Sequence, residues 1–220
     1  ATIVGNITIL VVVATEPVLH KPVYLFLCML STIDLAASVS TVPKLLAIFW
    51  CGAGHISASA CLAQMFFIHA FCMMESTVLL AMAFDRYVAI CHPLRYLAIM
   101  TWRVCITLAV TSWTTGVLLS LIHLVLLLPL PFCRPQKIYH FFCEILAVLK
   151  LACADTHINE NMVLAGAISG LVGPLSTIVV SYMCILCAIL QIQSREVQRK
   201  AFRTCFSHLC VIGLVYGTAI

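Results

Sequence analysis

The sequence predicts an all-α fold, a polytopic membrane helix bundle. Three observations predict it. Of 220 residues, 63% are apolar and only 9% are charged, against about a quarter in soluble domains. The apolar residues fall into six stretches of membrane-crossing character, each needing about 20 residues to span a bilayer. The basic residues are unevenly divided between the two sets of connections. So many apolar residues cannot be hidden behind so few polar ones. This excludes a soluble enzyme, a disordered chain and a nucleic-acid-binding domain. The net charge of +4 needs no acidic ligand, because basic cytoplasmic loops account for it.

Taken in order, the first stretch ends near Thr15. The second covers residues 24–49, the third 59–91, the fourth 104–128 and the fifth 162–191. The sixth starts near Lys200 and runs to Ile220. No start methionine or signal peptide is present, so the chain reads as an excised piece, open at both ends, of a single transmembrane domain over residues 1–220. One set of connections holds Lys21, Arg86, Arg95, Arg103, Arg195, Arg199, Lys200 and Arg203. The other holds Lys44, Arg134, Lys137 and Lys150. The first set is predicted to be cytoplasmic. The largest loop on the outer side, at about 129–161, is too long for a simple connector.

Most of the 13 cysteines lie in helices as small apolar residues. Cys133, Cys143 and Cys153 fall in the outer loop, and Cys61 at the outer end of the third helix. Four thiols in one oxidising layer suggest two disulfides, with three connectivities open. Cys51, on the same side, is left unpaired.

Several polar residues stand where lipid is expected. Asp34 and Glu75 lie midway along the second and third helices, and intramembrane carboxylates mark functional sites by default. Facing carboxylates must share a proton or a cation, and sodium suits hard oxygens. The alternative is a protonated acid bonded to a neighbouring serine. From Cys61 to Arg86 a helix rises about 37 Å, which crosses the bilayer and leaves Glu75 between the two rims. Asp85-Arg86-Tyr87 closes the third helix at the cytoplasmic rim. His69, Cys72, Met73 and Ser76 share one face by their spacing. A half-polar, soft-sided face suits a ligand cavity between helices, or simple helix packing. His123 carries the same two readings. Gly166, Gly170, Gly173 and Pro174 suit close helix approach and a kink. The Asn6-Ile7-Thr8 sequon lies within the first span and is discounted. No catalytic constellation appears, so no enzyme is expected.

These residues are similar to those of the odorant receptors, a branch of the rhodopsin-like G-protein-coupled receptors. Gly5-Asn6, Leu19-His20-Lys21-Pro22-Val23-Tyr24, Leu30-Ser31 with Asp34-Leu35, and Pro43-Lys44 resemble the family's first two helices. The run MAFDRYVAICHPLRY, from Met82 to Tyr96, resembles its most specific signature. Ser181-Tyr182 and KAFRTCFSHL, from Lys200 to Leu209, resemble its fifth and sixth helices. Val23, Phe84, Arg203 and Lys21 depart mildly from the family pattern. Residues from about Pro43 to Tyr96 resemble the fish-like class and those from about Trp102 onward the tetrapod class, as a recombined, consensus or chimeric chain would.

The resemblance implies a seven-transmembrane receptor, here from a partial first helix to a partial sixth. It implies disulfides Cys61–Cys143 and Cys133–Cys153, and a sodium site at Asp34 and Glu75, with no other cofactor. It implies an odorant cavity lined by Met65, His69, Cys72, Met73, Ser76, His123, Gly166, Gly170 and Ala219, under a lid near Leu146. Asp85, Arg86, Tyr87, Tyr182, Lys200 and Tyr216 would serve G-protein coupling and switching, and Trp113 would anchor the fourth helix. The partners implied are a small volatile ligand, membrane lipid and a stimulatory olfactory-type G protein that raises cyclic AMP. The location implied is the plasma membrane of olfactory cilia. The alternatives are a receptor for a non-odorant metabolite, a non-functional truncated or chimeric receptor, and an ion-conducting transporter. No inverted repeat supports the last.

Overall fold

The computed structural model describes residues 2–19, 21–52, 54–133, 138 and 142–219. His20, Arg134 and Lys137 lie outside the described residues, as does the side chain of Ala219.

Helix α1 covers Thr2–Thr15 and leads through a short turn into α2, Pro22–Cys51. Pro22 suits the first turn of α2, where its missing N–H is not needed. Gly52 ends the helix at φ 61°, a left-handed conformation that favours glycine, and its N–H caps the Ala47 carbonyl. Helix α3 covers Ala58–Cys91 and is capped by Ser57, whose hydroxyl accepts from the Ala60 N–H at 3.3 Å. His92 and Pro93 stop it. The short helix α4, Tyr96–Ile99, precedes α5, Trp102–Leu127, which Thr101 caps.

Helix α6, Ile145–Leu149, sits within the long loop. Helices α7, His157–Ala167, and α8, Gly173–Leu190, form one rod through a π-helical turn at Ile168–Val172. The turn has a local cause. Pro174 has no N–H to give the Gly170 carbonyl, and the Gly173 N–H reaches back five residues to the Ile168 carbonyl. Helix α9 covers Arg195–Ala219. Among the described residues, four rods are long and apolar enough to cross a membrane: Val23–Cys51, Ala58–Cys91, Trp102–Leu127 and His157–Leu190. Their apolar outer faces suit lipid, as along Ile106, Val110, Val117 and Leu121 of α5.

Two boundaries differ from the hydropathy reading. The fifth rod begins at His157, not near Met162, because polar residues start it: Asp155 accepts from the His157 N–H at 3.0 Å and Thr156 bonds Glu160 at 2.8 Å. The last helix begins at Arg195, not near Lys200, because helix persists through charged residues that leave the membrane. Trp113 is 43% exposed, so the fourth span keeps its tryptophan largely on the outer surface instead of anchoring the interior.

Helix α3 is the centre of the bundle and meets α2, α5, α8 and α9. Val78, Leu79 and Ala83 of α3 pack with Phe26 and Ile33 of α2, Cys105 of α5 and Ile178 of α8. The loop is bolted over this centre. Cys61 and Cys143 are joined with Cα atoms 5.4 Å apart, and Cys133 and Cys153 at 6.0 Å. Phe132 and Ala152 form an antiparallel bridge between them. Gln64 accepts from the Cys143 N–H at 3.2 Å and donates to the Ser40 carbonyl at 3.1 Å, which ties loop, α3 and α2 together.

Close approach of α3 and α5 depends on Gly116. A Cβ there would stand 2.6 Å from Met74 Cγ and 2.8 Å from the Ala70 carbonyl oxygen. Gly116→Ala is predicted to destabilise the bundle by about 1–3 kcal/mol, read as a lower thermal midpoint of the solubilised receptor. Gly213→Ala, with no described neighbour within 4 Å, leaves that midpoint unchanged or slightly higher. Equal midpoints for the two variants would refute the close approach.

Candidate functional site

Three polar layers occupy the bundle, and α3 contributes to each. In the outer layer its His69, Cys72, Met73 and Ser76 lie on successive turns of one face. The His69 and His123 rings meet edge to face, with centroids 4.6 Å apart. His123 Nδ1 lies 2.6 Å from the Leu119 carbonyl of its own helix, and Nε2 lies 3.3 Å from the Met162 carbonyl of α7. Both ring nitrogens of His123 therefore face backbone oxygens. His69 Nε2 is buried and has no hydrogen-bond partner among the described residues.

The two glycines of the α7–α8 rod act as seats. A Cβ on Gly166 would stand 3.2 Å from His123 Cε1, and one on Gly170 would collide with the Met73 sulfur. Their role here is to admit those side chains. Met65 is buried with Cys61, Leu127 and Cys143 beneath the loop. Leu146 is 41% exposed, whereas Ile145, Val148 and Leu149 of the same helix are buried. The loop thus closes on the bundle through those three, because a five-residue helix can turn only one face inward. Ala219 lies at the end of α9, with its side chain outside the described residues.

In the middle layer the carboxyl groups of Asp34 and Glu75 lie close enough to interact electrostatically. Asn6 of α1 donates to Asp34 at 3.3 Å. Three helices meet here, and the residues of the discounted sequon explain themselves: Asn6 is a structural amide. The Tyr216 hydroxyl of α9 is buried beside Ser76 and completes no hydrogen bond among the described residues.

The inner layer is built on a fully buried Asp85. Arg86 donates to one of its oxygens at 2.7 Å, and the Tyr96 hydroxyl donates to the other at 2.8 Å. Burial pushes the Tyr96 phenol above its ordinary range, and its bond to Asp85 pushes in the same direction. Tyr96 therefore keeps the proton it donates. Tyr182 of α8 is hydrogen-bonded to His208 of α9, and both lie within the field of Arg86. Tyr87 packs its ring against His92, with centroids 5.7 Å apart. Lys200 is exposed and pairs with Glu196 at 2.8 Å, pointing along its own helix.

The structure thus brings together His69 with His123, Asp34 with Glu75, and Asp85 with Arg86. It does not bring Leu146 or Lys200 into contact with these groups. Sequence reasoning missed Tyr96 and His208, although both lie within motifs it singled out. It also missed Gln64, Asn6 and Asn159, the last of which donates to the Leu126 carbonyl at 2.9 Å. Isolated amides inside apolar runs were the available signal.

The bundle thus combines several helices long and apolar enough to cross a membrane, a disulfide that ties the long loop to α3, and a buried Asp85 paired with Arg86 at the opposite end of that helix. The olfactory receptor family model matches residues 1–220. Human olfactory receptors 2A4 and 2A7 are each 74% identical over 219 residues, which is 100% of this chain and 71% of theirs. Human olfactory receptor 52P1 is 64% identical over 220 residues, covering 100% of this chain and 68% of its own. The chain belongs to the olfactory receptor family, and it is a receptor, not an enzyme.

Proposed function

We propose that the chain is the core of an odorant receptor. It binds a small volatile ligand between α3, α5 and the α7–α8 rod, and it activates a stimulatory olfactory-type G protein that raises cyclic AMP at the membrane of olfactory cilia. The observation that carries this reading is the buried Asp85–Arg86–Tyr96 cluster beside the Tyr182–His208 pair of neighbouring helices. At rest the buried Asp85 holds Arg86. Ligand binding favours a conformation in which Arg86 leaves Asp85 and turns toward Tyr182 and the G protein, a shift between pre-existing populations. Tyr87, Lys200 and Tyr216 contribute to the coupling face and the switch.

The ligand's polar anchor is His69. Both ring nitrogens of His123 lie against backbone carbonyls, whereas His69 Nε2 has no partner among the described residues. A buried polar atom without a partner costs about 1–3 kcal/mol, and a ligand that supplies the missing bond recovers part of it. Cys72, Met73 and Met65 favour an apolar frame around that one polar group, and Leu146 belongs to the rim. Asp34 and Glu75 hold a proton or a sodium ion in the resting state. Two facing carboxylates fit a small hard cation, and its charge would offset theirs within the membrane.

Three measurements test this reading in a full-length receptor that carries this chain. Arg86→Ala removes the cyclic AMP response to an odorant panel while surface expression persists; a retained response would sink the coupling role. His69→Leu raises the half-maximal concentration of an active alcohol or ketone about ten-fold and leaves a hydrocarbon of the same shape unaffected. Equal shifts for both ligands would refute the anchor. Sodium raises the thermal midpoint relative to N-methylglucamine, and Asp34→Asn abolishes the difference. A midpoint blind to the cation would leave only the shared proton.

A further inference from the structure

A groove runs between α8 and α9. It has a cavity volume of about 440 Å³, lined among others by Ile178, Met183 and Leu186 of α8 and Phe202, Phe206 and Leu209 of α9. Met183, Phe206 and Leu209 are exposed, so no described part of the chain covers it. Phe202 and Phe206 also line a second hollow, whose other walls include Arg199, Lys200 and Arg203. The two hollows are therefore adjacent. One end is apolar and the other basic, and Phe206 lies about 10 Å along the helix from Arg199.

The basic end has unspent charge. Glu196 is the acidic residue among its lining groups, and Lys200 takes it at 2.8 Å. Arg199 and Arg203 have no acidic partner among the described residues. The excess of basic residues places this end of α9 at the cytoplasmic face, and the cytoplasmic leaflet is the one that carries anionic lipid.

We propose that the α8–α9 groove binds an anionic phospholipid of the cytoplasmic leaflet. An acyl chain lies along Met183, Leu186 and Leu209, the two phenylalanines mark the boundary between chain and headgroup, and Arg199 and Arg203 hold the headgroup. A zwitterionic lipid would fill the apolar half equally well but leave both arginines without a net negative partner. A second protein helix would match the apolar half only. The proposal does not rest on the odorant or on the coupling mechanism, although Tyr182 and Lys200 border the two hollows.

The test uses a full-length receptor carrying this chain, reconstituted in bilayer discs of phosphatidylcholine with or without phosphatidylserine. Native mass spectrometry then reads which lipid stays bound. The wild type is expected to retain phosphatidylserine over phosphatidylcholine. Arg199→Gln and Arg203→Gln each reduce that preference about five-fold, the effect of one basic side chain near a membrane surface. The charge-keeping pair Arg199→Lys with Arg203→Lys retains it, which separates lost charge from lost fold. Leu186→Trp, which fills the groove, lowers retention of both lipids. Arg103→Gln, at the start of α5 on the same membrane face, leaves the preference intact. A wild type without preference, an equal effect from Arg103→Gln, or full competition by soluble glycerophosphoserine would each overturn the proposal. The last outcome would assign the arginines to a free phosphate group.

Discussion

A polar group left bare in hydrocarbon costs several kcal/mol, and α3 is where this chain meets that constraint most often. Within 34 residues it carries Gln64, His69, Ser76, Glu75, Asp85 and Arg86. Most are answered by a neighbouring group. Gln64 is answered by the loop and α2, Ser76 by the Cys72 carbonyl of its own helix, Glu75 by Asp34, and Asp85 by Arg86 and Tyr96, whereas His69 has only the ring contact with His123 and leaves Nε2 without a partner among the described residues. The requirement to pair these groups fixes the rotation of α3 about its axis. Gly116, Gly166 and Gly170 then let the neighbours approach closely enough to complete the pairs.

The central helix is therefore a rigid rod with polar contacts at both ends. His69 and Arg86 are separated by 17 residues, about 25 Å of helix. Between them lies the densest part of the core, including Val78, Leu79 and Ala83. Such a core does not deform continuously. A disturbance at His69 is passed on by movement of whole helices against α3, and the α7–α8 rod is the element suited to it. Its π turn sits beside the Met73–Gly170 contact, and Tyr182 further along the same rod lies near Arg86. A local change in winding at Gly170 would rotate Tyr182 about the rod axis. This is a physical route from the outer layer to the inner one, through one element that touches both.

Much of this was legible in the sequence, for reasons that can be named. The spans showed because lipid demands unbroken apolar runs, and the two carboxylates showed because they break such runs. Cys61 and Arg86 showed as rims because helix rise converts residue number into depth. Other features were hidden because they depend on contacts between distant segments. Nothing local distinguishes Leu146 from Ile145, yet only one face of α6 meets the bundle. The glycines of the α7–α8 rod read as generic packing until the side chains of His123 and Met73 appeared against them. Asp155 and Thr156 read as loop because hydropathy is blind to capping. His208 lay inside a quoted motif, but its partner Tyr182 is 26 residues away. His69 and His123 were indistinguishable as candidates until the backbone of α7 was placed against one of them.

The inner end of α9 shows how one short stretch can serve two constraints. The helix must leave the membrane, so its first turns carry charge. It must also present Phe202, Phe206 and Leu209 to an apolar environment, so the same turns carry aromatic bulk. On a helix these demands fall on adjacent stripes, because residues three and four apart share a face. Glu196 and Lys200 satisfy each other along the axis, which removes one charge of each sign from the balance. Arg199 and Arg203 are one turn apart and remain uncompensated, side by side at the apolar boundary. Two cations held so close repel each other, which disfavours the helix by a few tenths of a kcal/mol. An anion between them removes that repulsion. The arrangement is consequently most stable when something negative lies against it, and the apolar groove that opens beside Phe206 sets where that partner's uncharged part must go.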